Sequence, residues 1–362
     1  MWKPIYQPEP WTQFVKRKDI IGLPLMEQRR KHMEEQMLFE NYVSSVNTMS
    51  TLNAGAAGGP APGSGGSSYK ALIDTNFQTA VNLWFSDQAA AEAEYGPIGQ
   101  WNTTAVTSMA NAFQYRDTFN EDLNSWDVSN VTDMSYMFAG NGGFGGSALG
   151  GIFNQPLNNW DVSNVTNMRQ MFGQQPFFNQ DITGWDVSSV TNMQEMFVQV
   201  MFAPNTKNRA FNQPIGSWDV SSATNMSYMF RNQNIFGSGN GISAFNQPLN
   251  NWDVSNVTTM RNMFQGDSVG DGAGNLGQSF NQPLDNWDVS KVTDMSFMFT
   301  NNQAFSTTNY NGVLISWSAQ TLQPNVSFAA NLTQYSAGAA ATARGVLTGA
   351  PNNWTITDAG QA

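Results

Sequence analysis

The sequence contains no cysteine, so disulfide bonds and thiolate metal sites are excluded, and cysteine usage says nothing about the redox compartment. It has one histidine, His32, which ends the basic run that begins at Arg29. Serine–histidine nucleophilic sites and histidine metal centres are therefore excluded from the rest of the chain. This inventory argues against an enzyme.

Charge is also scarce. Charged residues make up 12% of the chain, about half the usual share, and the formal net charge is -11. Phosphate binding needs clustered Lys and Arg, so we expect no nucleic-acid partner. No apolar run approaches the length of a membrane span, and the first residues, MWKPIYQPEPWTQFVKRKD, lack the apolar core of a secretory signal. We expect no membrane insertion, and a protein that acts in the cytosol or on a particle assembled there.

The chain does contain an internal repeat. The segment FNQPLNNWDVSNVTNMRQMF, Phe153 to Phe172, has six copies that keep Phe-Asn, Trp-Asp-Val and Met-x-x-Met-Phe. The repeat tryptophans are 25, 34, 25, 33, 34 and 35 residues apart, so the basic unit is 25 residues and four intervals carry insertions of 8 to 10. These insertions, predicted to be loops on one edge, occupy roughly residues 139–152, 198–210, 231–244 and 265–279. The tryptophans from the first interval on are Trp101, Trp126, Trp160, Trp185, Trp218, Trp252 and Trp287.

Each repeat predicts one coil of a solenoid. Alternation in Trp160-Asp161-Val162 indicates a short strand, and apolar residues at steps of 3 and 4 from Val165 to Phe172 indicate a short helix, with Ser163 or Asn164 as its N-cap. Such a unit cannot bury its apolar face alone, so neighbours must stack. The expected fold is a repeat solenoid with a short parallel strand and a short helix per 25-residue coil, capped at both ends.

The Phe-Asn-Gln-Pro-Leu, Trp-Asp-Val-Ser-Asn-Val-Thr and Met-x-x-Met-Phe blocks resemble the BspA-type leucine-rich-repeat family of microbial surface proteins. The resemblance covers about residues 69–362. It implies a leucine-rich-repeat-like fold and a role in adhesion and surface recognition. Many members of that family carry secretion or lipid-anchor signals, and this sequence departs from them in showing neither.

Composition predicts five segments: an anchoring arm and helix at 1–50, a flexible Ala/Gly/Pro/Ser linker at 51–68, an N-terminal cap at 69–100, the solenoid at 101–304, and a degenerate last coil with a C-terminal cap at 305–362. Residues 1–68 carry a net charge of +1 (7 minus 6), against -12 (9 minus 21) for the rest. Within the first segment, RKDIIGLPLMEQRRKHMEEQMLFENYV, residues 17–43, resembles N-terminal segments of structural proteins from marine tailed phages. The predicted anchoring residues are Trp2, Tyr6, Trp11, Phe14, Leu25, Met33, Leu38 and Tyr42.

Two polar columns are candidate sites. One aspartate per repeat is expected on the outer surface, where turn hydrogen bonds are favoured over the alternative of cation binding. One asparagine per repeat is expected to bond turn backbone in a ladder, with ligand binding as the alternative. The aspartates are Asp127, Asp161, Asp186, Asp219, Asp253 and Asp288, and the asparagines are Asn120, Asn154, Asn179, Asn212, Asn246 and Asn281.

No cofactor is expected. The Gly/Asp-rich run around Asp267 and Asp271 is a weak match to a calcium loop, and a flexible loop is the simpler interpretation. Calcium binding stays open as the alternative.

These patterns favour a non-enzymatic phage structural or appendage protein, localised to the virion. Residues 1–50 would bind other virion proteins, and the solenoid loops would bind a host-surface glycan or protein. Two alternatives remain: a bacterial cell-surface adhesin, and a polysaccharide-degrading enzyme that uses paired carboxylates.

Overall fold

The computed structural model describes residues 69–141, 150–201, 209–234, 242–267 and 277–362. The chain divides into two units between Ser67 and Ser68, and everything described below belongs to the second. The predicted arm at 1–50 with its anchoring residues, the predicted linker at 51–68 and the central residues of all four insertions lie outside the described residues.

Two helices precede the first repeat. Helix α1 spans Asp74–Ser86 and helix α2 spans Gln88–Tyr95, followed by a 3-10 turn at Ile98–Gln100. The backbone N–H of Ile73 donates to the Asn76 side chain at 2.8 Å, which closes the first turn of α1. The buried face of α1 includes Phe77, whose ring contacts Trp126 edge-on at 5.8 Å. Apolar residues of α1 therefore cover one end of the repeat core.

Successive repeats pair through their backbones. The N–H groups of Met168, Gln170 and Phe172 donate to carbonyls of the next repeat at 2.9 to 3.0 Å. One parallel bridge per repeat runs through a single polar column. Every repeat is thus hydrogen-bonded to both neighbours at the same positions. The bridged residues are Ser108, Asp133, Asn167, Asn192, Asn225, Thr259 and Asp294.

The strand predicted at Trp160–Val162 and the helix predicted from Val165 to Phe172 are not formed. The N–H of Val165 donates to the carbonyl of Val162 at 2.9 Å, which bends the chain into a turn. Gln170 has a φ of 54°, and a residue in the left-handed region cannot continue an α-helix. The 3 and 4 spacing therefore reflects consecutive turns. The same position is left-handed in Asn111, Tyr136, Gln170, Glu195, Tyr228, Asn262 and Phe297.

Two columns of phenylalanine rings run through the core. Rings of the Met-Phe column are 5.5 to 5.8 Å apart. Each ring also stacks on the following Phe-Asn ring at 3.9 to 4.1 Å. Phe172 and Phe178, with five residues between them, stack at the same 3.9 Å as Phe138 and Phe153, which are separated by an insertion. The insertion leaves the core geometry unchanged.

The repeat tryptophans are buried and bonded to the preceding repeat. The indole N–H of Trp160 donates to the carbonyl of Leu123 at 2.9 Å, and that of Trp185 to Leu157 at 3.0 Å. Burying an indole requires such a partner, because an unpaired buried donor is costly. The methionine pairs, such as Met168 and Met171, are fully buried, as expected from their spacing.

Two α/β units follow the last repeat. Within the repeats lie two short strands, β1, Gln199–Met201, and β2, Asn232–Asn234. The C-terminal elements are helix α3, Thr307–Ser318; strand β3, Ser327–Ala330; helix α4, Ala339–Thr348; and strand β4, Thr355–Asp358. Strands β3 and β4 are parallel, with Ser327 opposite Thr355. Trp317 of α3 donates to the carbonyl of Leu284 at 3.3 Å, so a helix residue continues the tryptophan column.

A partly buried ion pair joins α4 to β4. Arg344 Nε lies 2.6 Å from Asp358 Oδ2, and the Asp358 side chain is 3% exposed. The hydroxyl of Tyr310 also donates to this carboxylate, at 2.8 Å. Asp358 therefore ties both C-terminal helices to the last strand.

We expect Asp358→Asn to lower the free energy of unfolding by about 2 kcal/mol, because it leaves Arg344 partly buried without its charge partner. The matched control is Glu94→Gln, since the Lys70–Glu94 pair is as short, 2.7 Å, but 55% and 42% exposed. That change should cost less than about 0.5 kcal/mol. Urea denaturation measures both; equal losses would contradict the assigned role of burial.

Candidate recognition surface

All six repeat aspartates are exposed and accept hydrogen bonds from the serine two residues further on. The N–H of Ser129 donates to Asp127 at 3.0 Å and that of Ser163 to Asp161 at 3.1 Å, and both serine hydroxyls donate at 2.6 Å. The other backbone contacts measure 2.9 to 3.0 Å. These carboxylates hold the turn after the buried tryptophan.

The turn hydrogen bonds favour the charged form of these carboxylates. Contacts from the hydroxyl and the N–H of the following serine hold the pKa values of Asp127, Asp186 and Asp288 below the ordinary value. A lowered folded-state pKa stabilises the fold above the unfolded value, near pH 4, and that contribution is lost as the pH falls through the folded value. Because the groups are exposed, we expect the effect to be small.

The repeat asparagines form a continuous ladder. The side-chain oxygens of the first five accept from the backbone N–H of the asparagine in the next repeat at 2.8 to 3.0 Å, and that of Asn281 accepts from the N–H of Ser306 at 2.9 Å. The following glutamine, such as Gln155, donates its amide to the asparagine carbonyl of the preceding repeat at 2.7 to 3.1 Å. The asparagines are exposed or only partly buried. Their backbone carbonyls are satisfied by the glutamines, a second column that the sequence pattern alone did not single out.

The ends of the insertions pair with one another along one edge of the repeats. Strand β1, Gln199–Met201, is parallel to strand β2, Asn232–Asn234, and Arg209 bridges Ser243 on the returning side. At the first insertion the two ends are so close that a Cβ on Gly140 would lie 2.8 Å from the nitrogen of Gly151. The insertions therefore begin and end in a fixed geometry.

Polar side chains are buried between these ends. Arg209 is 4% exposed and Asp267 is 1% exposed. Burial lowers the pKa of Arg209 to about 10, and the negative charge of Asp267 partly opposes this. A cavity of about 20 Å³ lies between Gln199, Arg209 and Ser243, which is room for one water molecule. This edge is a buried polar junction between insertions.

Of the calcium candidate, only Asp267 lies among the described residues. Asp267 is buried, with its negative charge close enough to Arg209 to affect the arginine's pKa, and Asp271 lies outside the described residues, so calcium binding there stays a prediction. The described residues contain no group of three or more His, Cys, Asp and Glu side chains placed to hold a metal ion. Nor does the described part of the chain contain a helix long and apolar enough to cross a membrane.

A further surface, which was not predicted from the sequence, includes the two residues between the paired methionines of each repeat. Within otherwise uniform repeats these two positions differ from copy to copy: Ser135-Tyr136, Arg169-Gln170, Gln194-Glu195, Ser227-Tyr228, Arg261-Asn262 and Ser296-Phe297. The guanidinium of Arg169 lies 5.2 Å from the centre of the Tyr136 ring. Phe297 is 45% exposed. Variation inside an invariant motif is the signal that would have found this surface.

We expect Asp186→Ala to lower the free energy of unfolding by about 0.5 to 1 kcal/mol, because it removes exposed turn hydrogen bonds. Millimolar calcium should leave the melting temperature of the wild-type protein unchanged, since the carboxylates already bond their own turns. Differential scanning fluorimetry with and without calcium measures both. A melting temperature that rises with calcium in the wild type but not in the variant would establish the cation alternative.

Comparison with known proteins identifies a family for most of the chain. The family described as Mycoplasma protein of unknown function, DUF285, matches residues 79–208, 147–241 and 201–337. No curated protein and no solved structure matches the chain. None of the matched segments includes residues 1–78, so the phage resemblance of the first segment stays a prediction. Because the matches together span residues 79–337, more than half of the 362, the chain belongs to the DUF285 family, a BspA-like repeat family consistent with a surface protein.

Proposed function

We propose that this protein is a non-enzymatic structural or appendage protein of a phage particle. In this proposal residues 1–50 anchor the chain to other virion proteins, and a leucine-rich-repeat-like solenoid presents a recognition surface to a host glycan or protein. The observation that carries the proposal is the equal stacking distance of Phe138–Phe153 and Phe172–Phe178, with and without an insertion. A core whose geometry is the same with and without an insertion can present surface loops of different length on a rigid scaffold.

The bonding of the repeat columns supports a non-enzymatic role. The recurring carboxylates bond their own turns, and the recurring asparagines and glutamines bond neighbouring repeats, as described above. A glycosidase needs two carboxyl groups held apart around a substrate, one of them with a raised pKa. The resolved pKa shifts among the repeat aspartates go downward. These groups suit structure better than catalysis.

A cellular surface adhesin is the second candidate. It is favoured by the family description, which names Mycoplasma proteins and therefore a cellular source. Against it stands the resemblance of residues 17–43 to N-terminal segments of marine tailed-phage structural proteins.

Mass spectrometry of purified particles tests the proposal. We expect peptides from both residues 1–50 and residues 69–362 at a constant ratio to the major capsid protein, because an anchored appendage is present in fixed copy number. Absence from the particles, with recovery from cell envelopes, would favour the adhesin. Release of reducing sugar from polysaccharides by the pure protein would establish the enzyme alternative.

The scaffold itself can be tested at the first insertion. Phe153→Ala should lower the free energy of unfolding by about 3 to 5 kcal/mol, because it removes a buried stacked ring. Replacing residues 139–152 by the short connection of residues 173–177 should change it by less than about 1 kcal/mol, since a shorter loop closes at a similar entropy cost. Urea denaturation measures both. A loss on loop replacement as large as that of Phe153→Ala would contradict an insertion-indifferent core.

A further inference from the structure

Two of the three residue pairs between the paired methionines have a counterpart three repeats later. Ser135-Tyr136 recurs as Ser227-Tyr228, and the arginine of Arg169-Gln170 recurs in Arg261-Asn262, whereas Gln194-Glu195 is replaced by Ser296-Phe297. At about 4.8 Å per parallel rung, equivalent residues lie about 14 Å apart. The serines are buried, but a partly exposed tyrosine followed by a partly exposed arginine occurs twice in the same order.

The first copy joins three repeats through side chains. The Arg169 guanidinium lies over the Tyr136 ring of the preceding repeat, 5.2 Å from its centre. An Arg169 Nη lies 3.6 Å from a carboxylate oxygen of Glu195 in the following repeat. The arginine side chain is 38% exposed, so it remains accessible to a ligand. We call Tyr136, Arg169 and Glu195 the first triad.

The second copy also combines a tyrosine, an arginine and a carboxylate from three successive repeats, but its carboxylate precedes the methionine pair and the Arg231 guanidinium lies 5.3 Å from the centre of the Tyr228 ring. Arg261 Nε donates to the hydroxyl of Tyr228 in the preceding repeat at 3.1 Å. An Arg261 Nη lies 3.6 Å from a carboxylate oxygen of Asp294 in the following repeat, and the arginine is 41% exposed. Its guanidinium is also 5.2 Å from the centre of the exposed Phe297 ring. Tyr228, Arg261 and Asp294 form the second triad.

We propose that the two triads are similar subsites for one neutral polysaccharide chain that lies along the direction in which the repeats stack. This inference rests on the proposed recognition function and assigns its ligand class and residues. Two similar subsites at a fixed spacing suit a ligand that itself repeats, as a polysaccharide does. Both arginines are partly exposed on the surface, so an extended chain could contact the two subsites together.

The charges of the triads select against an anionic polymer. The arginine of each triad is already paired with a carboxylate, so each triad is neutral in sum, with the Arg231 guanidinium beside the Tyr228 ring as an additional positive charge at the second. A phosphate, sulfate or uronate would have to displace Glu195 or Asp294 from its arginine. Hydroxyl groups can instead accept from the outward guanidinium N–H groups and donate to the carboxylates without breaking either pair. Contacts between side chains also hold the polar groups in place before binding, which lowers the entropy cost.

Affinity electrophoresis of the full chain tests this assignment. The probes are three neutral polymers, laminarin, galactomannan and dextran, with alginate as the anionic comparison. We expect at least one neutral polymer to retard the protein and alginate to have no effect. Tyr136→Ala and Tyr228→Ala should each weaken that binding by about tenfold or more, because either change removes one of two linked contacts.

The control is the double variant Asp161→Asn/Asp253→Asn, which changes two exposed carboxylates outside the triads and should bind as the wild type does. Melting curves verify folding, and Arg169→Gln with Arg261→Gln replaces the tyrosine changes if those variants unfold. No retardation by any neutral polymer, retardation by alginate alone, or binding that survives both triad changes overturns the inference. If the protein is present in particles but binds no neutral polymer, only this inference is refuted. If it binds a neutral polymer but is absent from particles, only the virion role is refuted.

Discussion

Every repeat depends on face-to-face contact between phenylalanine rings of its own and of its neighbours. Rings stack at 3.9 to 4.1 Å within a pair and at 5.5 to 5.8 Å along the Met-Phe column, so a ring has partners on both faces. One repeat alone would expose these rings to water. Stability is therefore a property of the stack, and the end helices matter because Phe77 of α1 packs on Trp126 and Trp317 of α3 continues the tryptophan column.

Fixed ring spacing explains why the polar columns are so uniform. Once adjacent repeats are held in register, the same backbone groups face each other at every step, and the same side chain satisfies them each time. The Thr132 and Thr166 hydroxyls, for example, each donate to the corresponding threonine carbonyl of the preceding repeat at 3.2 Å. An invariant outward residue in these repeats is thus bonded either to its own turn, as the aspartates are, or to the neighbouring repeat, as the threonines are.

Much of this arrangement could be predicted from the sequence, because buried columns must be identical wherever the backbone register is identical. The burial of the Trp and Met columns follows from that rule, and the exposed Asp and Asn columns follow from the turn and backbone groups that recur beside them. The local conformation could not be predicted, since Val165, Met168 and Met171 give the same apolar spacing in a helix and in consecutive turns. What decides is the left-handed residue, and its identity varies among Asn, Tyr, Gln, Glu and Phe, so no glycine marks it. The pairing of the insertion ends could not be predicted from the sequence either, because it uses backbone groups.

The uniformity of positions among the repeats distinguishes scaffold residues from candidate recognition residues better than the length of the insertion loops does. A position that varies among otherwise uniform repeats is one that the stack does not constrain, and the two residues between the paired methionines are such positions. Residues 69–362 carry a net charge of -12 (9 minus 21), which repels polyanions as a whole. Placing arginines there only as members of neutral triads keeps that repulsion while offering planar donors beside aromatic rings. A surface of this composition favours an uncharged, hydroxyl-rich partner.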